Sequence, residues 1–229
     1  MYHYSPENAA IYSQLGIIGT TYEVSFNEMA RVLGDLKGRT VLDYGTGAGR
    51  SARLLQTLGA QRVLGVDHDP NMIKQAKLNE VNGIEFHQIQ DEIIPLDDNS
   101  VDAAVTAHVF VEMRSKDEMI RAAKEISRVL KPGGKLVVIS TSPDSVGHDY
   151  VSYRYKPKTN LKSGDPITCV VKAEKPFEID DTYWTEEDYV GVLRDTGFTK
   201  AQVSYPIAQG DGWLEETKVA PDILLVATK

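Results

Sequence analysis

Between residues 40 and 141 the chain alternates short apolar runs with stretches whose apolar positions recur every three or four residues. Continuous apolar runs are typical of strands that are buried on both faces, and the wider spacing is typical of helices that bury one face. The runs predict five strands, Thr40–Tyr44, Arg62–Val66, Ile84–Gln88, Val101–Ala107 and Lys135–Thr141. Strands that alternate with helices indicate a parallel sheet with helices on both faces.

Local signals predict where the intervening helices begin and end. Gly59 stands where a C-cap glycine belongs after the first helix, and Asp69-Pro70 pairs an N-cap with proline at the first helical position. The next helix is therefore expected from Asn71 to Leu78. Ser115-x-x-Glu118 is a capping box that begins a further helix, and Pro132-Gly133-Gly134 ends it and leads into the fifth strand.

The two ends of the chain lack this alternation. Residues 5–34 predict two short helices, which begin at Ser5-Pro6 and at the capping box Ser25-x-x-Glu28. Residues 142–182 show no helical periodicity, and the β-branched run Ile167–Val171 favours a small hairpin there.

A final helix and two strands complete the pattern. Thr185-x-x-Asp188 is a cap for a helix that ends at Gly197, and the strands Gln202–Tyr205 and Ile223–Ala227 follow it.

The most informative motif follows the first strand, in the order Asp43-Tyr44-Gly45-Thr46-Gly47-Ala48-Gly49-Arg50. Glycine at every second position lets the backbone approach a bound ligand where any Cβ would collide with it. Arg50 stands where the dinucleotide fingerprint G-x-G-x-x-G needs its third glycine, so this motif is a different one. Taken alone, the segment is also compatible with a glycine-rich turn in another α/β fold.

Three further elements follow the glycine loop in order. Asp67 ends the second strand roughly 20 residues beyond the glycines, where a carboxylate can accept hydrogen bonds from both hydroxyls of a ribose. The segment 88–96 follows the third strand and carries Gln90 beside Asp91. The fourth element comprises the strand that leads to His108 and the later turn Lys131-Pro132-Gly133-Gly134-Lys135.

Together the four elements resemble the class I S-adenosylmethionine-dependent methyltransferases, of the methyltransferase type 11-like, small-molecule group. The resemblance spans about residues 40–141. It implies a Rossmann-like, seven-stranded, mostly parallel sheet with helices on both faces and an antiparallel last strand. It also implies that the cofactor S-adenosyl-L-methionine lies across the carboxyl edge of the sheet.

The resemblance also implies the cofactor-binding residues, which are Asp43, Tyr44, Gly45, Thr46, Gly47, Asp67, His68, Gln90, Asp91, Ala107, Tyr12 and Tyr22. Asp43 is expected to accept hydrogen bonds from the ammonium group of the methionine moiety. His68 is either a wall residue or without special role. Gln90 occupies the family's usual aspartate position, and which of Gln90 and Asp91 contacts the adenine stays open, since an amide oxygen can also accept a hydrogen bond.

His108 and Glu112 are the candidate catalytic residues. His108 follows the fourth strand and would face the transferred methyl group, so it is the first candidate for a general base. A neutral pocket wall is the alternative for this side chain. Glu112 lies four residues further on. Much of the catalysis is expected to come from positioning the acceptor against an already activated methyl donor.

We expect one domain over residues 1–229, in four parts: a helical cap over 1–38, the cofactor-binding core over 39–141, an acceptor-side insertion over 142–184, and the final helix and strands over 185–229. Tyrosines are abundant in the cap and in the insertion. Aromatic rings offer apolar area with a polar tip, which suits a small, partly apolar organic acceptor methylated on oxygen, nitrogen or carbon, as in secondary metabolism. These rings could instead simply pack the cap onto the sheet.

Charge and composition bear on the partners. The net charge of −8 disfavours a nucleic-acid substrate, and the five histidines show no metal-ligand spacing. We expect a cytoplasmic protein that does not enter a membrane, because the chain has a single cysteine, no signal peptide and no long apolar run. A homodimer is an option. Three alternatives stay open: methylation of an RNA or protein side chain, a non-catalytic S-adenosylmethionine-binding protein, and an NAD-dependent dehydrogenase.

Overall fold

The structure is a computed structural model that describes residues 3–78 and 81–229. Its strands, numbered in chain order, are β1 Thr40–Tyr44, β2 Arg62–Asp67, β3 Ile84–Gln88, β4 Val101–Ala107, β5 Leu130–Thr141, β6 Tyr153–Tyr155, β7 Pro166–Val171, β8 Phe177–Thr182, β9 Thr199–Ser204 and β10 Asp222–Thr228. Its helices are α1 Pro6–Ser13, α2 Thr21–Leu33, α3 Arg50–Thr57, α4 Pro70–Leu78, α5 Lys116–Val129 and α6 Glu186–Asp195.

Seven strands form the central sheet, in the order β3-β2-β1-β4-β5-β10-β9. The pairs from β3 to β5 are parallel, whereas β10 runs antiparallel to both of its neighbours. This topology confirms the predicted fold class. The chain moves outward from β1 to β3 and then returns to β4 on the other side of β1. Ligands of open α/β sheets bind outside the carboxyl ends of the strands at such a switch point.

Helices cover both faces of the sheet, and each face has its own apolar cluster. One cluster joins α5 and α6 to the sheet, and it includes the fully buried Met119 and Ile126. The other joins α2, α3 and α4 to the opposite face, and it includes Met29 and Leu55. Since strands β1 and β4 are buried on both faces, their sequences read as continuous apolar runs.

Most of the predicted N-caps are confirmed, whereas Pro132-Gly133-Gly134 lies inside β5 and does not end α5, which stops at Val129. Asp69 Oδ1 accepts hydrogen bonds from the amides of Asn71 and Met72, so Asp69 acts as the N-cap of α4. The Thr185 box is present in full at the start of α6. At α5 the Ser115 hydroxyl accepts from the Glu118 amide, but the Glu118 carboxylate accepts from the amide of Arg114 rather than that of Ser115.

The predicted start of the second helix is wrong. We expected it at Ser25, but α2 begins four residues earlier, at Thr21, and its N-cap is Thr20. Ser25 lies inside the helix, fully buried, and its hydroxyl donates a hydrogen bond to Asp222 of β10. A serine that resembles a cap in the sequence here serves a long-range contact.

The segment after β5 is more ordered than the predicted hairpin. Strands β6, β7 and β8 form a separate three-stranded antiparallel sheet. A third apolar cluster packs this small sheet against α1 and α2, and it contains Tyr22, Tyr153 and Ile179. The cap and the insertion therefore meet directly above the carboxyl edge of the large sheet. No helix of the described residues is long and apolar enough to cross a bilayer.

Candidate active site

The glycine loop turns sharply at the carboxyl end of β1. Gly45, Gly47 and Gly49 all have positive φ, of 74°, 54° and 83°. The amides of Gly45 and Thr46 both donate to the carbonyl of Val66, at 2.8 and 2.9 Å. Left-handed conformations are strained for residues with a Cβ, so the alternating glycines permit this turn.

Asp43 lies beneath the loop and is fully buried. Its Oδ2 accepts hydrogen bonds from the hydroxyls of Thr46 and Ser51, at 2.6 and 2.7 Å, whereas its Oδ1 is buried and has no hydrogen-bond partner. Burial raises the pKa of Asp43 to about 6, although the two hydroxyls oppose the shift. An ionised carboxylate with an unpartnered oxygen in this position favours a cationic ligand.

Asp67 ends β2 at the edge of a cavity of about 490 Å³. Its Oδ2 accepts a hydrogen bond from the Gly47 amide at 2.8 Å, and its Oδ1 accepts from the Asp69 amide at 2.9 Å. Each carboxylate oxygen has two lone pairs, so Asp67 can accept two more hydrogen bonds. The predicted wall residue His68 lines the same cavity, with its Nδ1 at 3.3 Å from Asp67 Oδ1.

The far side of this cavity contains Tyr44, Ile89 and Asp91. Gln90 is exposed and is not among the lining residues, so the structure brings Asp91 rather than Gln90 to the predicted adenine side. The Tyr44 hydroxyl is buried without a partner, and Arg121 lines the cavity beside Glu92, with its Nε at 3.6 Å from Glu92 Oε2. The difference between the two neighbours follows from the backbone, since Asp91 has a φ of 52° and starts a turn.

Two smaller cavities continue along the loop, with volumes of about 50 and 40 Å³. Gly45, Gly47 and Ala107 line both of them, and Tyr12 of α1 closes them from above. Thr46 lines the smaller one. The three cavities are neighbours, because the first two share Gly45 and Asp67 and the last two share Gly47 and Tyr12.

Arg50 is a site residue that sequence reasoning missed. Its guanidinium lies 4.8 Å from the ring centroid of Tyr12 and 4.2 Å from that of Tyr22, and it donates to the carbonyls of Leu15 and Tyr12. Arg50 also lines the 40 Å³ cavity beside Gly47. The only signal for Arg50 in the sequence was its position directly after the glycine loop. The two tyrosine contacts come from other helices and have no local signature.

His108 follows β4 and lines the 50 Å³ cavity as well as a further one between α2 and the small sheet. Its φ of 59° is unusual for a residue with a Cβ, and such strain, about 1–3 kcal/mol, clusters at functional sites. Its Nδ1 lies 3.8 Å from Oδ1 of Asp222, and its Nε2 is buried without a hydrogen-bond partner. Burial lowers the pKa of His108, against the opposing effect of Asp222, so the imidazole is neutral near pH 7.

A fourth cavity, of about 30 Å³, lies between the cap and the insertion. Tyr22, His108 and Glu112 line it together with residues of the small sheet. Glu112 accepts a hydrogen bond from the Tyr4 hydroxyl at 3.5 Å. The predicted catalytic pair therefore faces the space between cap and insertion.

The cavities and the residues beneath the glycine loop fit S-adenosylmethionine. Asp67 lines two of the cavities and suits the ribose, and the buried, unpartnered Oδ1 of Asp43, which lies below the loop and not in the cavity lining, suits the ammonium group. A Cβ on Gly47 would meet no protein atom within 4 Å, so it would project into the open space beside the loop. Among the described residues no group of three or more His, Cys, Asp or Glu side chains is arranged to hold a metal ion.

Comparison with known proteins identifies the methyltransferase family that the sequence motifs resemble. Residues 42–138 match the model of the methyltransferase domain. The chain is 30% identical to N-demethylindolmycin N-methyltransferase of Streptomyces griseus over 169 residues, which is 72% of this chain and 71% of that protein. It is 28% identical over 179 residues to a ubiquinone/menaquinone biosynthesis C-methyltransferase of Klebsiella pneumoniae, covering 71% of this chain and 67% of that protein.

Solved structures show the same fold. An S-adenosylmethionine-dependent methyltransferase of Mesorhizobium loti superposes with a TM-score of 0.68 at 18% identity, over 93% of this chain and 100% of the other. A putative enzyme of this kind from Listeria monocytogenes gives a TM-score of 0.67 at 20% identity, over 90% and 98%. The chain therefore belongs to the class I S-adenosylmethionine-dependent methyltransferases, and S-adenosylmethionine is its cofactor.

Proposed function

We propose that this enzyme transfers a methyl group to a small, partly apolar organic molecule that binds between the N-terminal cap and the insertion. The observation that carries the proposal is the fourth cavity, which joins aromatic side chains of both parts to His108. The named relatives support it, because their names refer to N-demethylindolmycin and to ubiquinone and menaquinone biosynthesis.

The cofactor is expected to bind along the three neighbouring cavities beside the glycine loop. We assign Asp67 to the ribose hydroxyls and Asp43 to the ammonium group. Arg50 and Arg53 both line the cavity beside the glycine loop, and we assign Arg50 to the carboxylate of the methionine moiety. When bound, S-adenosylmethionine supplies a methyl group already activated by its sulfonium.

His108 is the proposed general base. A neutral imidazole can accept a proton from the acceptor on its unpartnered Nε2. Asp222, at 3.8 Å from Nδ1, would stabilise the imidazolium that forms. Two hydrogen bonds fix this carboxylate, one from the hydroxyl of Tyr153 at 3.0 Å and one from that of Ser25.

A macromolecular acceptor fits the structure less well. The fourth cavity is lined by residues of the cap and the insertion, so an RNA base or a protein side chain would have to pass between these two parts. The net charge of −8 also opposes binding of a phosphate backbone.

Turnover tests the proposal. The enzyme and S-adenosylmethionine are incubated with a pool of small aromatic amines, phenols and quinols, and mass spectrometry follows S-adenosylhomocysteine and methylated products. We expect products from the pool and at least a tenfold lower rate for His108→Gln, whereas the exposed His87→Gln serves as control and should retain activity. Formation of S-adenosylhomocysteine only with bulk tRNA or with a protein extract would show that the acceptor is macromolecular.

A further inference from the structure

Five tyrosine rings surround the fourth cavity. Successive ring centroids lie 5.5 Å apart for Tyr4 and Tyr12, 6.4 Å for Tyr12 and Tyr22, 5.9 Å for Tyr22 and Tyr153, and 5.8 Å for Tyr153 and Tyr155. All five line the cavity. We call this group the tyrosine cage. An aromatic face carries partial negative charge, so a cavity lined by five tyrosines favours a cation.

Carboxylates supply negative charge to the same cavity. Asp181 and Glu112 line it, and Asp222 lies directly behind the imidazole of His108. Asp181 is buried, and its Oδ2 accepts a hydrogen bond from the Tyr155 hydroxyl at 2.7 Å. In the described part of the chain no lysine or arginine forms a salt bridge with Asp181, and none lines the cavity.

Neither Arg50 nor Arg114 forms a salt bridge with Asp181. Arg50 lines the cavity beside the glycine loop, where it donates to main-chain carbonyls and stacks on Tyr12 and Tyr22. Arg114 is exposed and only partly opposes the effect of burial, which raises the pKa of Asp181 to about 7. A buried carboxylate is expensive without a cationic partner, so the cavity is best matched by a ligand that brings one.

Building on the proposed function, we propose that the methyl acceptor is an organic amine, which binds as its ammonium ion in the tyrosine cage, with Asp181 as the residue that selects for its charge. The cavity of about 30 Å³ has room for a group about the size of one water molecule, which fits an ammonium head. The body of the acceptor would lie between the cap and the insertion and requires them to separate slightly.

Methylation of an amine at this site balances in protons and electrons. The bound ammonium gives one proton to Nε2 of His108, which is neutral and unpartnered. The freed nitrogen lone pair then forms the N–CH3 bond while the bond between that carbon and the cofactor sulfur breaks, and the electron pair of the broken bond remains on sulfur. The products are the methylated ammonium ion, S-adenosylhomocysteine and one proton, which is held on Nε2 of His108 and passes to solvent when the products leave.

Three probes with one skeleton and three charges test this inference. The protein is saturated with S-adenosylhomocysteine and titrated by calorimetry with phenethylamine, 2-phenylethanol and 3-phenylpropanoate. We expect the amine to bind at least tenfold more tightly than the alcohol, and the carboxylate to bind most weakly. Because this series uses the unmodified protein, it does not depend on the folding of any variant.

Asp181→Asn then assigns the selectivity to one side chain. The amide has the shape of the carboxylate, and its oxygen can still accept the Tyr155 hydroxyl. We expect the preference for the amine over the alcohol to fall at least fivefold. Asp180→Asn is the matched control, because the neighbouring side chain on β8 is exposed and its replacement changes the net charge equally.

The outcomes separate this inference from the proposed function. If S-adenosylhomocysteine does not bind, the cofactor site itself is wrong. If it binds and the alcohol binds as tightly as the amine, or if none of the probes binds at millimolar concentration, the amine assignment is wrong. An unchanged preference in Asp181→Asn would remove Asp181 from the assignment.

Discussion

Replacement of Gly47 by alanine separates ligand binding from folding. Gly47 has a φ of 54°, and a Cβ built there would meet no protein atom within 4 Å. Gly45, two residues earlier, has a φ of 74°, and its Cβ would collide with Cγ2 of Val109. The two substitutions are chemically identical, but the added methyl group enters the proposed cofactor space in one case and the packed protein in the other.

The expected losses of stability and of cofactor affinity follow from these contacts. Alanine in a left-handed conformation costs about 1–2 kcal/mol, so Gly47→Ala should lower the free energy of unfolding by about that amount. Gly45→Ala adds overpacking against Val109, which costs about 1–3 kcal/mol more. For the cofactor, a methyl group at Gly47 takes the place of closely approaching ligand atoms, and we expect at least a 100-fold loss of affinity, which corresponds to about 2.7 kcal/mol.

Urea unfolding without ligand and calorimetry with S-adenosylhomocysteine measure the two effects. The unfolding midpoint should fall more for Gly45→Ala than for Gly47→Ala. Of the two variants, only Gly47→Ala should still unfold cooperatively and yet fail to bind S-adenosylhomocysteine. If Gly47→Ala binds S-adenosylhomocysteine with the affinity of the unmodified protein, the cofactor does not lie against this loop.

Three further predictions follow from neighbouring contacts. Asp67→Asn should weaken S-adenosylhomocysteine binding at least tenfold in calorimetry, because charge-assisted hydrogen bonds to the ribose are lost; unchanged affinity would refute the ribose assignment. Since the pKa of Asp43 is raised to about 6, affinity should fall as pH drops from 7 to 5 and Asp43 becomes protonated, and Asp43→Asn should bind weakly without this pH dependence. Thr185→Ala should lower the free energy of unfolding by about 1 kcal/mol through loss of the α6 cap, measured in urea; no change would mean that the cap is redundant.

The parts of the fold that depend on short-range chemistry could be predicted from the sequence. The glycine loop, the N-cap Asp69 and the capping box at Thr185 are each decided within a few residues, and the structure contains all three. The parallel part of the sheet followed from the alternation of apolar runs and amphipathic stretches, whereas the seven-stranded topology followed from the family resemblance. The position of Asp67 followed too, because a carboxylate that ends a parallel strand must lie at the carboxyl edge of the sheet.

The parts that depend on long-range contacts could not be predicted. Ser25 has the spacing of a cap, but its hydrogen bond reaches Asp222, 197 residues away. Asp222 itself was overlooked, because nothing near it in the sequence shows that it faces His108. Asp181 lies in β8 of the small sheet, where the sequence predicted only a hairpin around Ile167–Val171, and its position against the tyrosine cage depends on how that sheet packs on the cap.

A crystal structure of the protein with S-adenosylhomocysteine tests the central claim most directly. We expect the adenine in the 490 Å³ cavity near Asp91, both ribose hydroxyls within hydrogen-bond distance of Asp67, and the amino-acid end against Gly47. Ligand density elsewhere on the protein, or protein crystals that hold no ligand at saturating concentration, would contradict the cofactor site and the functional proposals that depend on it.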